Sequence, residues 1–122
     1  IRAVLEGIAF RCAEVVDALR ADAPGSGVDV LRVDGGAARN DFLMQFQADV
    51  SGVPVERPMV FDAASLGAAY LAGLATGFWK DLREAGQTWR RDRIFEPRSS
   101  TDERGERNAR WKTIVERARR QP

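Results

Sequence analysis

A β-branched run that stops on two glycines and passes directly into helical spacing is the tightest constraint in this chain. Val28, Val30, Leu31 and Val33 read as a short buried strand, and Asp34-Gly35-Gly36 ends it. Residues 40–51 then place Phe42, Leu43, Phe46 and Val50 on one helical face, with Gly52 as the closing cap and Gln45 and Gln47 off the apolar stripe and exposed. Strand, glycine turn and helix in that order predict an α/β fold.

The glycines have a physical use. Without a Cβ the backbone takes positive φ and lets a ligand approach the main chain. The helix beyond points unpaired N–H groups and its positive dipole end into the same space, which suits an anion or a polar ring. Spacing alone leaves open an ordinary strand-to-helix connection with nothing bound, because DGGxxxN is neither a Walker loop nor a full dinucleotide fingerprint.

Around this stretch the chain reads as alternating helices and short extended pieces. Val4, Leu5, Ile8, Cys12, Val15, Val16 and Leu19 recur at steps of three and four, which predicts a first helix with these side chains inward and Cys12 in the core. Residues 23–27, APGSG, break it. The prolines of residues 54–58 predict an edge strand or a strand-like connection. Residues 65–74 predict a helix whose Ala64, Ala68 and Ala72 let the sheet or the helix at 40–51 pack close, and Gly77 ends it. A helical connector begins at 78–82, residues 91–95 form a last extended piece, and 97–102 form a polar loop. Residues 107–118 predict an amphipathic helix with Trp111, Ile114, Val115 and Ala118 inward.

At 122 residues the chain holds one domain at most, and it contains no histidine and one cysteine. Histidine acid–base chemistry, Ser-His-Asp triads, His-ligated metals and internal disulfides are therefore excluded. Charge is uneven: residues 1–78 carry six arginines against ten acids, a net of −4, and residues 79–122 carry thirteen basic groups against eight acids, a net of +5. In the basic segment 103–120 arginines interleave with glutamates at helical spacing, which marks a solvated, paired face rather than a nucleic-acid surface. No apolar run is long enough to span a membrane. The chain opens at Ile1 within a helical pattern, as expected of a piece of a longer protein.

Residues 33–58, VDGGAARNDFLMQFQADVSGVPVERP, and 65–79, SLGAAYLAGLATGFW, resemble the C-terminal domain of the FGGY carbohydrate kinases, and among them the members that phosphorylate glycerol. The likeness runs from Leu31 to Arg120, with residues 1–19 compatible as the preceding helix. FLMQFQAD and GAAYLAGLATGFW carry more of it than DGG, because other sugar kinases share the glycines and diverge in these runs.

The resemblance implies an actin-like (ribonuclease H-like) ATPase domain, a mixed sheet with flanking helices. That domain has five strands, whereas only three can be read here, so residues 1–122 are expected to be an incomplete C-terminal nucleotide-binding domain whose N-terminal substrate domain lies elsewhere. It further implies ATP with Mg2+ carried on the nucleotide, glycerol held by the missing domain, a cytoplasmic homo-oligomer in full length, and no nucleic-acid or membrane partner. The family's nucleotide-binding positions fall on Gly35, Gly36, Ala37 and Asn40. The Gly36 backbone lies against the adenosine or phosphate region, the Asn40 amide bonds adenine, and Gly35 and Ala37 shape the turn. No catalytic residue or metal ligand falls on this chain. Asp34 fits a base or a metal ligand in type, but it is read as an acceptor for the N–H groups around the glycines, and Arg39 as solvent-facing. Two alternatives remain: a related kinase of another polyol or sugar, and a nucleotide-binding domain without transferase activity.

Overall fold

Small side chains decide how the helices meet. In the computed structural model, which describes residues 1–23, 25 and 27–120, helix α1 (Arg2–Asp22) turns Ala9, Ala13 and Val16 into the interior. Two alanines one turn apart bring its backbone close to α2 (Asp41–Ser51), against which it packs most extensively. The expected stripe is thereby split. Val16 is buried and Leu5 packs beside the core, but Val4, Ile8, Val15 and Leu19 are exposed and Cys12 is half-buried. The apolar spacing was real, but it ran over a second face of the helix that no described element covers. Of the predicted breaker, Pro24 and Ser26 lie outside the described residues.

Helix α2 forms the middle of the core. Its Leu43, Met44, Ala48 and Val50 join Ala9, Ala13, Ala38, Val55 and Phe95 in one buried cluster. Gln47, expected outside, is 5% exposed, whereas Phe42, expected inside, is 38% exposed. The helix face centred on Met44 and Gln47 meets α1 and the sheet, so a polar residue is carried inward between two apolar ones. Gly52 closes α2 in the left-handed conformation, φ 65°, with its N–H on the Ala48 carbonyl.

The sheet is mixed and three-stranded. β1 (Leu31–Arg32) runs parallel to β2 (Val55–Pro58), which pairs antiparallel with β3 (Arg91–Phe95). β1 is shorter than the predicted 28–33: among the described residues it pairs with β2 at Leu31 and Arg32, with Leu31 and Val33 donating to the carbonyls of Pro54 and Glu56. The β2 segment is central rather than an edge. Its prolines bracket it: Pro54 precedes it and lends only its carbonyl, and Pro58 sits at the irregularity where the register with β3 shifts.

The later helices differ in how they are held. α3 (Ala63–Ala75), capped by Asp62 on the Ser65 N–H, buries no residue, so the expected packing of its alanines on the sheet or α2 is not made within this chain. It leans instead on α4 (Leu82–Gly86) and on Trp79, whose ring meets Tyr70 edge-on and lies directly against Gly73. α5 (Thr101–Arg119) matches the basic helical segment expected at about 103–120 and begins six residues ahead of the amphipathic face expected from 107, inside the segment 97–102 expected as a loop. The cause is a capping box: Ser100 accepts from Glu103 N–H while the Glu103 carboxylate takes the Ser100 N–H. Its inner face is Arg104, Asn108, Trp111 and Val115, while Ile114 and Ala118 point outward. Trp111 stacks on Phe10 at 5.1 Å and donates to Glu14, and Asn108 donates to the Val50 carbonyl.

Replacing Gly52 by alanine should lower stability by about 1–2 kcal/mol, the cost of placing a Cβ in the left-handed region. The Arg104 guanidinium, which occupies the Cβ position, must also move aside. An unchanged urea midpoint would show that the turn relaxes at no cost.

Candidate functional site

The glycine turn is held by one strong backbone bond and one buried methyl. Gly35, at φ 79°, sends its N–H to the Phe61 carbonyl at 2.8 Å, and Ala38 is 1% exposed. Gly35 needs its missing Cβ for that φ; nothing lies within 4 Å of where a Cβ would stand on Gly35 or Gly36. The turn does not feed α2 directly. Residues Gly36–Arg39 form a 3₁₀ turn first, and α2 starts one residue after Asn40.

The four predicted nucleotide-binding residues therefore lie together on one outward-facing turn. Gly36, Ala37 and Asn40 are exposed and Gly35 is half-buried. Among the described residues, no acceptor takes the N–H of Gly36 or Ala37, as expected at the first positions of a helical turn. Asn40 caps α2: its Oδ1 accepts from Leu43 N–H at 3.0 Å, which leaves Nδ2 as its open hydrogen-bonding end.

Asp34 does not do what the sequence suggested. Its carboxylate is exposed and bonds to none of the turn's N–H groups, because Gly35 has turned toward Phe61 instead. Arg39 is exposed as expected, its guanidinium resting 4.8 Å from the centre of the Phe61 ring.

Two open clefts flank the turn. One, of about 470 Å³, is walled by Val33, Pro58, Met59, Val60, Leu66 and Trp89, with Arg32, Asp34 and Arg90 at its polar edge. The other, of about 410 Å³, runs between the open face of α1 and β1 and includes Ala37 and Ala38. Asp34 lines both, and Gly35, Gly36 and Asn40 line neither. Of the 3₁₀ turn, Ala37 and Ala38 reach the second cleft, and neither cleft encloses the glycines or Asn40.

Beneath the turn lies an arginine that sequence reasoning passed over. Arg57 is 9% exposed. Its Nη1 donates to the Ala38 carbonyl at 3.2 Å and to Asp41 Oδ1 at 2.6 Å, and its Nε donates to Asp92 Oδ2 at 2.7 Å. Its guanidinium lies 5.2 Å from the Phe95 ring centre. Asp41 also takes Arg93 on its other oxygen at 2.6 Å. A signal existed: strand alternation puts Arg57 on the same face as the buried Val55, and a cation there must find carboxylates. The hydrogen bond from Arg57, reinforced by the nearby charges of Arg57 and Arg93, holds the Asp41 carboxyl below its ordinary range against a smaller opposing effect of burial.

The first 76 residues match the C-terminal domain of the FGGY family of carbohydrate kinases. A glycerol kinase of Dechloromonas aromatica is 57% identical over 117 residues, covering 96% of this chain and 23% of that protein. The crystal structure of Plasmodium falciparum glycerol kinase with ADP superposes at a TM-score of 0.85 with 37% identity, over 99% of this chain and 24% of that one. A gluconate kinase from Lactobacillus acidophilus superposes at 0.75 with 26% identity, over 96% and 23%. The chain spans about a quarter of the length of the relatives it matches.

The lowered Asp41 pKa sets a pH dependence with a definite sign. A carboxylate bound more tightly to its proton in the unfolded chain than in the folded one adds stability above the unfolded value, about 3.9, and loses it as pH falls through the lower folded value. Urea midpoints measured from pH 6 down to pH 2.5 should fall more steeply for the native chain than for Asp41→Asn. Parallel curves would remove Asp41 from the acid response.

Proposed function

The chain belongs to the FGGY family of carbohydrate kinases, and on that premise we propose that it is the nucleotide-holding part of a kinase that transfers the γ-phosphoryl group of ATP to a terminal hydroxyl of glycerol, giving glycerol 3-phosphate. The observation that carries the reading is the fit of 99% of the chain onto a glycerol kinase in its structure with ADP. Glycerol is preferred over other acceptors because identity is 57% to a glycerol kinase and 26% to the gluconate kinase.

In this proposal the turn does the holding. The open amides of Gly36 and Ala37 and the absence of a Cβ on Gly35 and Gly36 leave main-chain donors accessible to a nucleotide, and they fit such a group. Asn40 Nδ2 donates to the adenine ring, while its Oδ1 stays on α2. The nucleotide brings Mg2+ on its phosphates; among the described residues no cluster of three acidic, histidine or cysteine side chains is placed to hold a metal ion. Phosphoryl transfer needs aligned phosphates, the metal and a carboxylate at the accepting hydroxyl. This chain supplies part of the first, and the base and glycerol pocket belong to the rest of the protein. A cytoplasmic location and a homo-oligomeric full-length enzyme are part of the same proposal.

Three outcomes are expected. The full-length protein turns over glycerol in preference to other polyols, pentoses and hexoses when ADP release from MgATP is followed. The isolated 122-residue chain releases no ADP in response to glycerol. Asn40→Asp, which keeps an acceptor for the α2 cap and removes the amide donor, weakens ATP binding about tenfold, the worth of one hydrogen bond, and leaves glycerol affinity unchanged. An unaltered ATP constant would take Asn40 out of the site, and preferred turnover of another sugar would move the enzyme elsewhere in the family.

A further inference from the structure

Resting on the nucleotide reading of the turn, we propose that Arg57 is a positioning residue for nucleotide binding, its guanidinium fixing the 3₁₀ turn and the start of α2 so that Gly36, Ala37 and Asn40 present their donors in one direction. Arg57 sits on the central strand and grips the turn from below at two points that bracket Asn40: the carbonyl of Ala38 two residues before it, and the carboxylate of Asp41 one residue after it. Its third bond, to Asp92 on β3, fixes the guanidinium itself, and the Phe95 ring lies alongside it. Because the group is 9% exposed, it acts through the turn and not by touching a ligand.

The turn needs such a brace. Gly35 and Gly36 are intrinsically free, and besides Arg57 the segment is held by the Gly35 bond to Phe61, the exposed Arg39 guanidinium on the Phe61 ring and the Ala38 methyl. A lysine keeps the charge but cannot reproduce three donors in one plane at these angles. Arg93 makes a useful contrast, since it reaches the same Asp41 from the outside without touching Ala38.

The test uses the full-length kinase, with ADP and glycerol affinities measured by titration calorimetry for Arg57→Lys, Arg93→Met, Asn40→Asp and the Arg57→Lys/Asn40→Asp pair. Arg57→Lys should weaken ADP about fivefold or more and leave glycerol within about twofold, as expected when a binding group loses its support. Arg93→Met should leave ADP affinity within about twofold. The double variant should lose less than the product of the two single losses, because a misplaced Asn40 has little left to give. Unchanged ADP affinity in Arg57→Lys, alongside weakened binding in Asn40→Asp, would overturn the positioning role and leave the nucleotide turn standing. Unchanged ADP affinity in Asn40→Asp would instead defeat the reading of the turn, and this inference with it. Equal losses for ADP and glycerol would reduce Arg57 to general stability. If Arg57→Lys does not fold, Asp41→Asn, an exposed change at one end of the same brace, should weaken ADP alone; no change there would likewise overturn the proposal.

Discussion

A buried guanidinium must be fully satisfied or it destabilises what surrounds it, and Arg57 is satisfied by three different elements at once. Burial by itself would lower its pKa; the hydrogen bonds of Asp41 and Asp92 outweigh that and raise it instead, so the group stays charged. The central strand, the glycine turn, the beginning of α2 and the third strand are thereby tied at one point. The apolar cluster of Leu43, Met44, Val55 and Phe95 supplies most of the burial, but it is non-directional. The angular fixing of the turn comes from the guanidinium.

What the sequence made legible and what it hid follow from the range of the interactions involved. Local signals read well: Gly52 and Gly77 in positive φ, β3 at Arg91–Phe95, and the strand-turn-helix order all depend on a few neighbouring residues. The family likeness and the actin-like fold were legible because two long runs carry them. The choice of which apolar face is buried was not legible, because it depends on partners distant in sequence. Val4, Ile8, Val15 and Leu19 look like a core stripe, yet Ala9 and Ala13 win the contact with α2 because close helix approach favours small residues. Ser100 and Glu103 were readable as a capping box, but the proline and serines around them drew the segment toward a loop.

The candidate site divides the same way. Its backbone, Gly35 to Asn40, was visible from the glycines and the resemblance, and the structure sets those residues on one exposed turn. Its support was harder to see, since Arg57 finds its carboxylates 16 and 35 residues away, at Asp41 and Asp92, and no local spacing pairs them. Faces of α1 and α3 stay exposed and two clefts stay open in a chain that spans about a quarter of the length of its relatives.

The contact of Trp111 with Phe10 and Glu14 carries a consequence for how the chain assembles. It closes a loop of 97 residues, so its entropic cost is met only after the strands and helices between have condensed. On the ribosome α1 and α2 emerge long before α5, and the face of the Phe10 ring that Trp111 covers stays open to water until α5 has been made. The domain therefore has a vulnerable interval set by the order of synthesis, and α5 is the element that ends it.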